Sequence, residues 1–496
     1  MRLALGLDLG TQGVKALLLD GAGRVRAAAN RSYRIHALRP GWAEQDPLDW
    51  WAAAQEVIRE VLSNARGRVE AVGLSGQMHG AVLLDTEGVA VRPCLIWADA
   101  RADAECAEIR TRVPAVTRIT GNPVMTAFTA PKLLWLRRHE PHSLARARTL
   151  LLPKDYLRYR LTCELATDPT DAGGTLLFDL ATWTWSEELL AALDLPRHLL
   201  PEIRPTLEAS GRITREAAEA TGLAEGTPVL TGGADMAIGL VGCGATQEGE
   251  VVVLISTAGQ VLVRVPGPLE DGLGRVYYLP HVFPRSVYAM GAILSAGICL
   301  RWLSEVLHPE APPGSGGEVF EALSALAATA PPGADGLVFL PYLLGTGTPH
   351  MDPHATGTFV GLTLGHGRAH LARAVMEGVA YGLRDSVEAL TRSGIRVSGI
   401  RLGGGGARST PWRQVVADVF NAPVQPLLIP DVSPLGAAVT AAVHAGLFTS
   451  LEDAVVRSVR LGETIRPDPA RAEGYDAGYA RYRALYPALR PFFGPT

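Results

Sequence analysis

Three segments of this 496-residue chain carry side chains suited to phosphoryl chemistry. The first is Asp8-Leu9-Gly10-Thr11-Gln12-Gly13-Val14-Lys15, a tight turn between the apolar runs Leu3–Leu7 and Val14–Leu19. Its glycines let backbone N–H groups approach an anion closely. Thr11 can donate to a phosphate oxygen, Gln12 adds an amide, Lys15 adds a point charge, and Asp8 can hold a hydrated Mg²⁺. Such a hairpin points to an ATP-using enzyme. The second segment, Leu230-Thr231-Gly232-Gly233-Ala234-Asp235, ends a β-like run in two glycines and delivers Asp235 to the start of a small-residue helix. A carboxylate there can take a proton from a substrate hydroxyl; it can equally cap the helix, a common role for Asp. The third, Ser256-Thr257-Ala258-Gly259-Gln260, reads as a second phosphate turn or as an ordinary β-turn. One such hairpin in each of two domains could hold a triphosphate.

Further groups suit the rest of a nucleotide and a hydroxyl-rich ligand. Leu402-Gly403-Gly404-Gly405-Gly406-Ala407-Arg408 joins the strand Val397–Leu402 to a helix containing Trp412 and Val416. Four glycines leave a surface bare of side chains, open to a purine ring or a phosphate; the plain alternative is a loose linker. No Gly-x-x-x-x-Gly-Lys-Ser/Thr loop is present. Gln77-Met78-His79-Gly80 and Trp97-Ala98-Asp99-Ala100-Arg101 offer an amide, an imidazole, a carboxylate and a guanidinium, the donors and acceptors a polyol needs. The bland readings are a structural His79 and a surface ion pair between Asp99 and Arg101. Of 46 basic residues only Lys15, Lys132 and Lys154 are lysines. A compact ammonium and a planar fork do not interchange at crowded sites, so each surviving lysine marks a place where arginine would not fit, or a chance survival on the surface. Lys154-Asp155 reads as a local ion pair.

These groups need strands to carry them. Leu3–Leu9, Val14–Asp20 and Arg24–Asn30 form a meander. Asp46 then caps a helix with Pro47 at its first position, and Trp51, Ala54, Val57, Ile58, Val61 and Leu62 follow helical spacing. The strand Val69–Leu74 runs into the Gln77 loop. The same order returns in Glu250–Ser256, Gln260–Val265, Tyr277–Leu279 and Val287–Met290, with helices near Leu294–Leu307 and over 369–391. This repetition implies two related α/β domains facing each other. Turn-rich breaks fall at Cys243–Gly249, Pro309–Gly317 and Ala330–Ala334.

Composition narrows the class. The 47% hydrophobic content supports sizeable cores, and a net charge of −4 recommends neither nucleic acid nor an anionic membrane as partner. No apolar run reaches the ~18 residues of a spanning helix. The chain begins in a strand rather than a signal peptide, and its five scattered cysteines lack metal-ligand spacing. A cytoplasmic protein with reduced thiols is expected.

Taken in order, the segments resemble the FGGY family of carbohydrate kinases, within the actin/hexokinase superfamily, from Leu5 to about Ala442. The matches are the Asp8–Lys15 turn, Trp42-Ala-Glu-Gln-Asp-Pro47, Gly76-Gln-Met-His-Gly80, Phe128-Thr-Ala-Pro-Lys-Leu-Leu-Trp135, Leu152-Pro-Lys-Asp-Tyr156, Gly357-x-Phe-x-Gly-Leu362 with His370-Leu371 and Ala374-Val-Met-Glu377, and Gly404-Gly-Gly-Ala-Arg408. The resemblance implies two ribonuclease H-like domains with a cleft between them. Residues 1–243 would form the sugar and phosphate side, and 244–496 the nucleotide side with C-terminal helices. It implies ATP- and Mg²⁺-dependent phosphorylation of a sugar hydroxyl, and a possible homodimer. Asp235 would be the base and Asp8 the carboxylate near the metal. Gln77, Met78, His79 and Asp99 would meet the sugar. Thr11, Gln12, Lys15, Thr257 and Gly259 would meet the phosphates, and Gly404, Gly405, Ala407 and Arg408 the adenosine side. Gln-Met-His turns the expectation toward the 5-hydroxyl of D-xylulose, since glycerol kinases carry Gln-Arg-Glu there. Met236 departs from the Asn usual after the base, which keeps open another ketose or polyol. Ser256-Thr257-Ala258-Gly259 and Leu344-Gly345-Thr346-Gly347 also depart from the usual turns. A catalytically silent sugar- or nucleotide-binding regulator is the rival of a different class.

Overall fold

The computed structural model describes residues 1–308, 316–429 and 431–494; most of the break expected at Pro309–Gly317 lies outside them. Packing divides the chain into two units, and neither is contiguous. Unit one comprises Met1–Thr246, Tyr278–Tyr288 and Asp431–Val459, and unit two Gln247–Tyr277, Ala289–Pro430 and Arg460–Thr496. These units cut across the expected 1–243/244–496 division.

In unit one the expected meander forms as β1 (Arg2–Leu9), β2 (Gly13–Asp20) and β3 (Val25–Ser32), antiparallel throughout. After the short β4 (Glu44–Gln45) comes α1 (Pro47–Asn64), whose N-cap Asp46 accepts the Leu48 N–H at 2.9 Å. Its apolar stripe packs on β2 and β3 and completely buries Trp50. The chain then returns through β5 (Arg68–Gly76), parallel to β1. The sheet order is Ala209–Arg212, Pro228–Leu230, β5, β1, β2, β3, and Gly233–Ala234 also pairs with β5.

β1 and β5 read as near-continuous apolar runs because both their faces are covered. One cover comes from far along the chain: the helix Val432–His444 packs on both strands. Contact is closest at Gly6 and Gly73. An added Cβ at either position would lie 2.1 Å from the Pro434 carbonyl oxygen or 2.0 Å from that of Ala437. Two glycines facing an alanine-rich helix let backbones approach where any side chain would separate them.

Unit two repeats this topology. Its sheet includes, in order, Val287–Ile293, Gly259–Val265, Glu250–Ile255, Gly399–Gly403 and Val424–Pro426. Glu250–Ile255 and Gly259–Val265 form the antiparallel hairpin, and the next two strands run parallel to the first. The helix expected from Leu294 begins at Gly297, and the long helix spans Arg368–Arg392. An antiparallel hairpin followed by two strands parallel to its first strand thus occurs once in each unit. Among the described residues no helix is long and apolar enough to cross a membrane, and none of the five cysteines forms a disulfide.

Candidate active site

Unit one brings its two predicted carboxylates to the carboxyl ends of central strands. Asp8 lies at the carboxyl end of β1, level with Ser75 of β5. On the other side of β5, Gly233 is also level with Ser75, and the chain passes through Ala234 into Asp235. Asp8 and Asp235 therefore flank the end of β5. The Ser75 hydroxyl donates to Asp8 Oδ1 at 2.9 Å. Burial pushes the Asp8 pKa up, partly opposed by that hydrogen bond and by Lys15. Asp235, partly exposed, is pushed to about 7, first by desolvation and then by the negative charge of Asp8. Two carboxylates whose environments differ are the usual mark of divided acid–base and charge roles.

The capping alternative for Asp235 does not hold. Ala234 is the N-cap, with no side-chain cap bond, and Asp235 is the first residue of the helix Asp235–Gly242. Its Oδ1 accepts the next backbone N–H, of Met236, at 2.8 Å. Its backbone carbonyl accepts from the Ser433 hydroxyl at 3.3 Å.

The Asp8–Lys15 hairpin is held by side chains from outside it. Gly10 N–H bonds Gly13 O at 3.0 Å. The Tyr33 hydroxyl donates to Gly10 O, and Gln45 Nε2 to Thr11 O at 2.7 Å. Trp97 Nε1 donates to Thr11 Oγ1 at 2.8 Å, leaving the hydroxyl proton of Thr11 free for an anion. Lys15 stands opposite Asp8 in the hairpin register, and its Nζ lies 2.6 Å from Asp431 Oδ1. Asp431 is the acid that linear reading missed. Its signal was present, an acidic residue directly ahead of the small-residue helix at Val432, but nothing local tied it to residue 15. Among the described residues no cluster of three or more His, Cys, Asp or Glu could hold a metal. The donor set fits a magnesium ion carried mainly by phosphates and water, with Asp8 as protein partner.

The loop after β5 is buried and ordered by polar contacts. Gln77 N–H bonds Leu9 O at 2.8 Å, and its Nε2 donates to Gln45 Oε1 at 2.8 Å. Gln45 therefore ties this loop to the hairpin at Thr11, a link across 32 residues that spacing could not disclose. His79 adopts φ = +69° and its ring packs against Phe128 at 4.6 Å. Its Nδ1 lies 2.6 Å from the Gly174 carbonyl and so donates, which leaves Nε2 as an acceptor on a neutral ring. Burial holds the His79 pKa down at about 4. The Met78 sulfur lies 3.8 Å from the Tyr288 hydroxyl.

Asp99, the remaining predicted sugar contact, is bonded to Arg101 and to the Ala43 N–H. Its pair with Arg101 is interior rather than superficial: the side chains are 0% and 1% exposed. Arg101 reaches both carboxylate oxygens, Ala43 N–H takes Oδ2 at 2.6 Å, and the guanidinium stacks on Trp42 at 3.6 Å. The other lysines are also interior. Lys132 donates to the carbonyls of Thr126, Ala127 and Phe128, and burial lowers its pKa to about 7. Lys154 meets Asp155 at 2.5 Å, as expected, but also Asp168 at 3.1 Å and Asp171 at 3.2 Å, all four side chains being fully buried. Burial alone would depress the Lys154 pKa; the three carboxylates outweigh it and raise it.

Unit two assembles the remaining segments in the same way. The turn Ser256–Ala258 follows Glu250–Ile255, and the glycine loop follows Gly399–Gly403, with Leu254 level with Gly403. The two loops are neighbours. Gly404 has φ = +83° and an added Cβ there would lie 2.6 Å from the Ile255 carbonyl oxygen. Gly405 and Arg408 are exposed, whereas Ala407 is buried. Thr257 is exposed, and its carbonyl accepts the Ala296 N–H at 2.9 Å. Gly259 lacks room for a side chain, since a Cβ would lie 2.7 Å from Ile293 Cγ1. Ser409 caps the helix Thr410–Phe420 through the Trp412 N–H at 3.1 Å. A strand-to-helix turn anchored in this way is not a loose linker.

Residues 3–242 match the model of the FGGY family of carbohydrate kinases, N-terminal domain, and 257–445 that of its C-terminal domain. The chain is 39% identical over 489 residues to a xylulose kinase of Escherichia coli (strain K12), covering 98% of this chain and 99% of that one. It superposes on the crystal structure of xylulose kinase from Rhodospirillum rubrum with a TM-score of 0.91 at 37% identity, covering 99% of this chain and 100% of that one. The crystal structure of gluconate kinase from Lactobacillus acidophilus gives a TM-score of 0.93 at 28% identity, covering 99% of each chain.

Proposed function

The chain belongs to the FGGY family of carbohydrate kinases, and on that premise we propose that it transfers the γ-phosphoryl group of ATP to the 5-hydroxyl of D-xylulose. The observation that carries this reading is Asp235, raised to a pKa of about 7 beside Asp8 at the end of β5. A base matched to neutral pH takes a hydroxyl proton more readily than an ordinary carboxylate does. Phosphoryl transfer asks little covalent work of a protein; it asks for placement and for stabilisation of spread negative charge. In this reading the sugar hydroxyl loses its proton to Asp235 as its oxygen attacks. ATP with Mg²⁺ supplies the electrophilic phosphorus. Asp8 holds the metal's water shell, and the Thr11 hydroxyl, Gln12 and Lys15 take phosphate oxygens. Met78 gives the sugar an apolar wall, His79 Nε2 accepts one of its hydroxyl protons, and Gln77 orders their loop. Thr257 and Gly259 receive the nucleotide's phosphates, and Gly404, Gly405, Ala407 and Arg408 its adenosine side.

The base role fixes a pH dependence. Asp235 works ionised, so kcat/KM for sugar rises with pH and levels off above about 7. Because the charge of Asp8 helps to raise that pKa, Asp8→Asn moves the limb to lower pH as well as slowing the reaction. A profile flat from pH 5.5 to 8 in the parent enzyme would remove Asp235 from the role of base.

Two observations favour a second substrate reading, a kinase for another ketose, polyol or sugar acid. Met236 follows the base where a hydrogen-bonding Asn is usual, and the similar structure from Lactobacillus acidophilus is that of a gluconate kinase. A coupled assay of ADP release with D-xylulose, D-ribulose, L-ribulose, L-xylulose, glycerol and gluconate separates these readings. D-xylulose is expected to give the highest kcat/KM. If another member exceeds it, the substrate assignment changes; if no sugar raises ADP release, a silent binder takes its place.

A further inference from the structure

The buried knot around Lys154 has no part in the chemistry above, yet it leads to both sides of the site. Asp168 lies at its centre. Its Oδ1 faces Lys154 at 3.1 Å, and its Oδ2 accepts from the hydroxyls of Thr170 at 2.6 Å and Thr206 at 2.7 Å. Asp168 also caps the short helix Pro169–Gly173, accepting the Thr170 and Asp171 N–H groups. From this fixed segment two bonds reach outward. The Thr170 hydroxyl accepts the Ala234 N–H at 2.8 Å, one residue before Asp235. The Gly174 carbonyl accepts from His79 Nδ1 at 2.6 Å.

We propose that Asp168–Gly174 is a positioning segment that sets the proton acceptor Asp235 in register with the sugar-contact residue His79, with the Thr170 hydroxyl as its contact to the base. Thr170 is completely buried, so its hydroxyl proton has one destination, Asp168, and its oxygen one donor, Ala234. A carboxylate accepting that proton polarises the hydroxyl and makes it a stronger acceptor for the Ala234 N–H. The contact is close: a Cβ added at Gly233 would lie 2.9 Å from Thr170 Oγ1. The Ser433 hydroxyl on the Asp235 carbonyl holds the opposite side. Misplacing a reacting group by about 1 Å can cost on the order of a hundredfold in rate.

The inference rests on Asp235 being the base, and the test keeps the two claims apart. Parent, Asp235→Asn, Thr170→Val and Thr170→Ser are compared for kcat, for KM of sugar and ATP, and for Tm. Thr170→Val is expected to lower kcat by about tenfold with KM for ATP unchanged, and Thr170→Ser, which keeps the hydroxyl, to stay within about twofold of the parent. Thr170→Ala replaces the Val variant if that one does not fold. An inactive Asp235→Asn beside a Thr170→Val at parental kcat overturns the positioning role and leaves the base standing. Equal losses in Val and Ser that track Tm also overturn it, as mere packing. Parental activity in Asp235→Asn removes the base and this inference together.

Discussion

Asp235→Asn is expected to lower kcat by about 10²–10⁴-fold, the span general-base catalysis contributes. The same change should stabilise the protein above neutral pH. The pKa of Asp235 is raised from 3.8 to about 7 in the folded state, because burial and Asp8 disfavour its charge. A group raised in this way supports folding fully below the unfolded value near 4, and that support is lost as pH rises through about 7. Asn carries no charge, so Tm of the variant should exceed that of the parent at pH 8 and match it near pH 4. Scanning calorimetry at the two pH values, with single-turnover rates, checks both halves. A variant that is inactive and also less stable at pH 8 would mean that the carboxylate holds the fold rather than serving catalysis.

Lys154→Met is expected to be the most destabilising single change in unit one. It leaves Asp155, Asp168 and Asp171 fully buried without the ammonium that lies within 3.2 Å of each. Removing one partner of a buried ion pair costs about 3–5 kcal/mol, because an uncompensated charge remains. For a unit of this size that is a fall in Tm on the order of 10 °C. Lys154→Arg should not restore it, since a planar fork is too wide for a pocket that converges three carboxylates on one nitrogen. Asp155 keeps Arg158 at 2.9 Å, but Asp168 and Asp171 lose their cation and then favour the fold only when protonated, so the deficit should shrink as pH falls toward 4. A Lys154→Arg variant with parental Tm would show that the pocket has room and that the rarity of lysine in this chain has another cause.

Much of the fold was legible because it is local. The β1–β2–β3 meander, the Asp46–Pro47 helix start and the carriage of Asp235 onto a helix each depend on residues within a few positions of one another. The repeated strand order was legible too, since both halves use the same alternation of apolar runs and turns. What escaped depends on partners far apart. Nothing near residue 431 announces that its carboxylate meets Lys15, and nothing near Asp168 announces Lys154. Asp99 and Arg101 look like a surface pair because adjacent charges usually are one; Trp42 and Trp135, 57 and 36 residues before and after Asp99, turn them into an interior pair. Thr170 carries no local signal for the opposite reason. A Thr in the first turn of a short helix is too ordinary to stand out until Ala234 is seen against it.

The return of Asp431–Val459 to unit one has a consequence for how the protein is made. A nascent chain that has left the ribosome as far as Thr246 holds every strand of the first sheet, but not the helix that covers Gly6 and Gly73. That helix emerges about 200 residues later, roughly 10–40 s at ~5–20 residues per second. Through that interval one apolar face of β1 and β5 stays uncovered and open to wrong partners. Unit one must therefore wait, or be chaperoned, until the translation of unit two is nearly done.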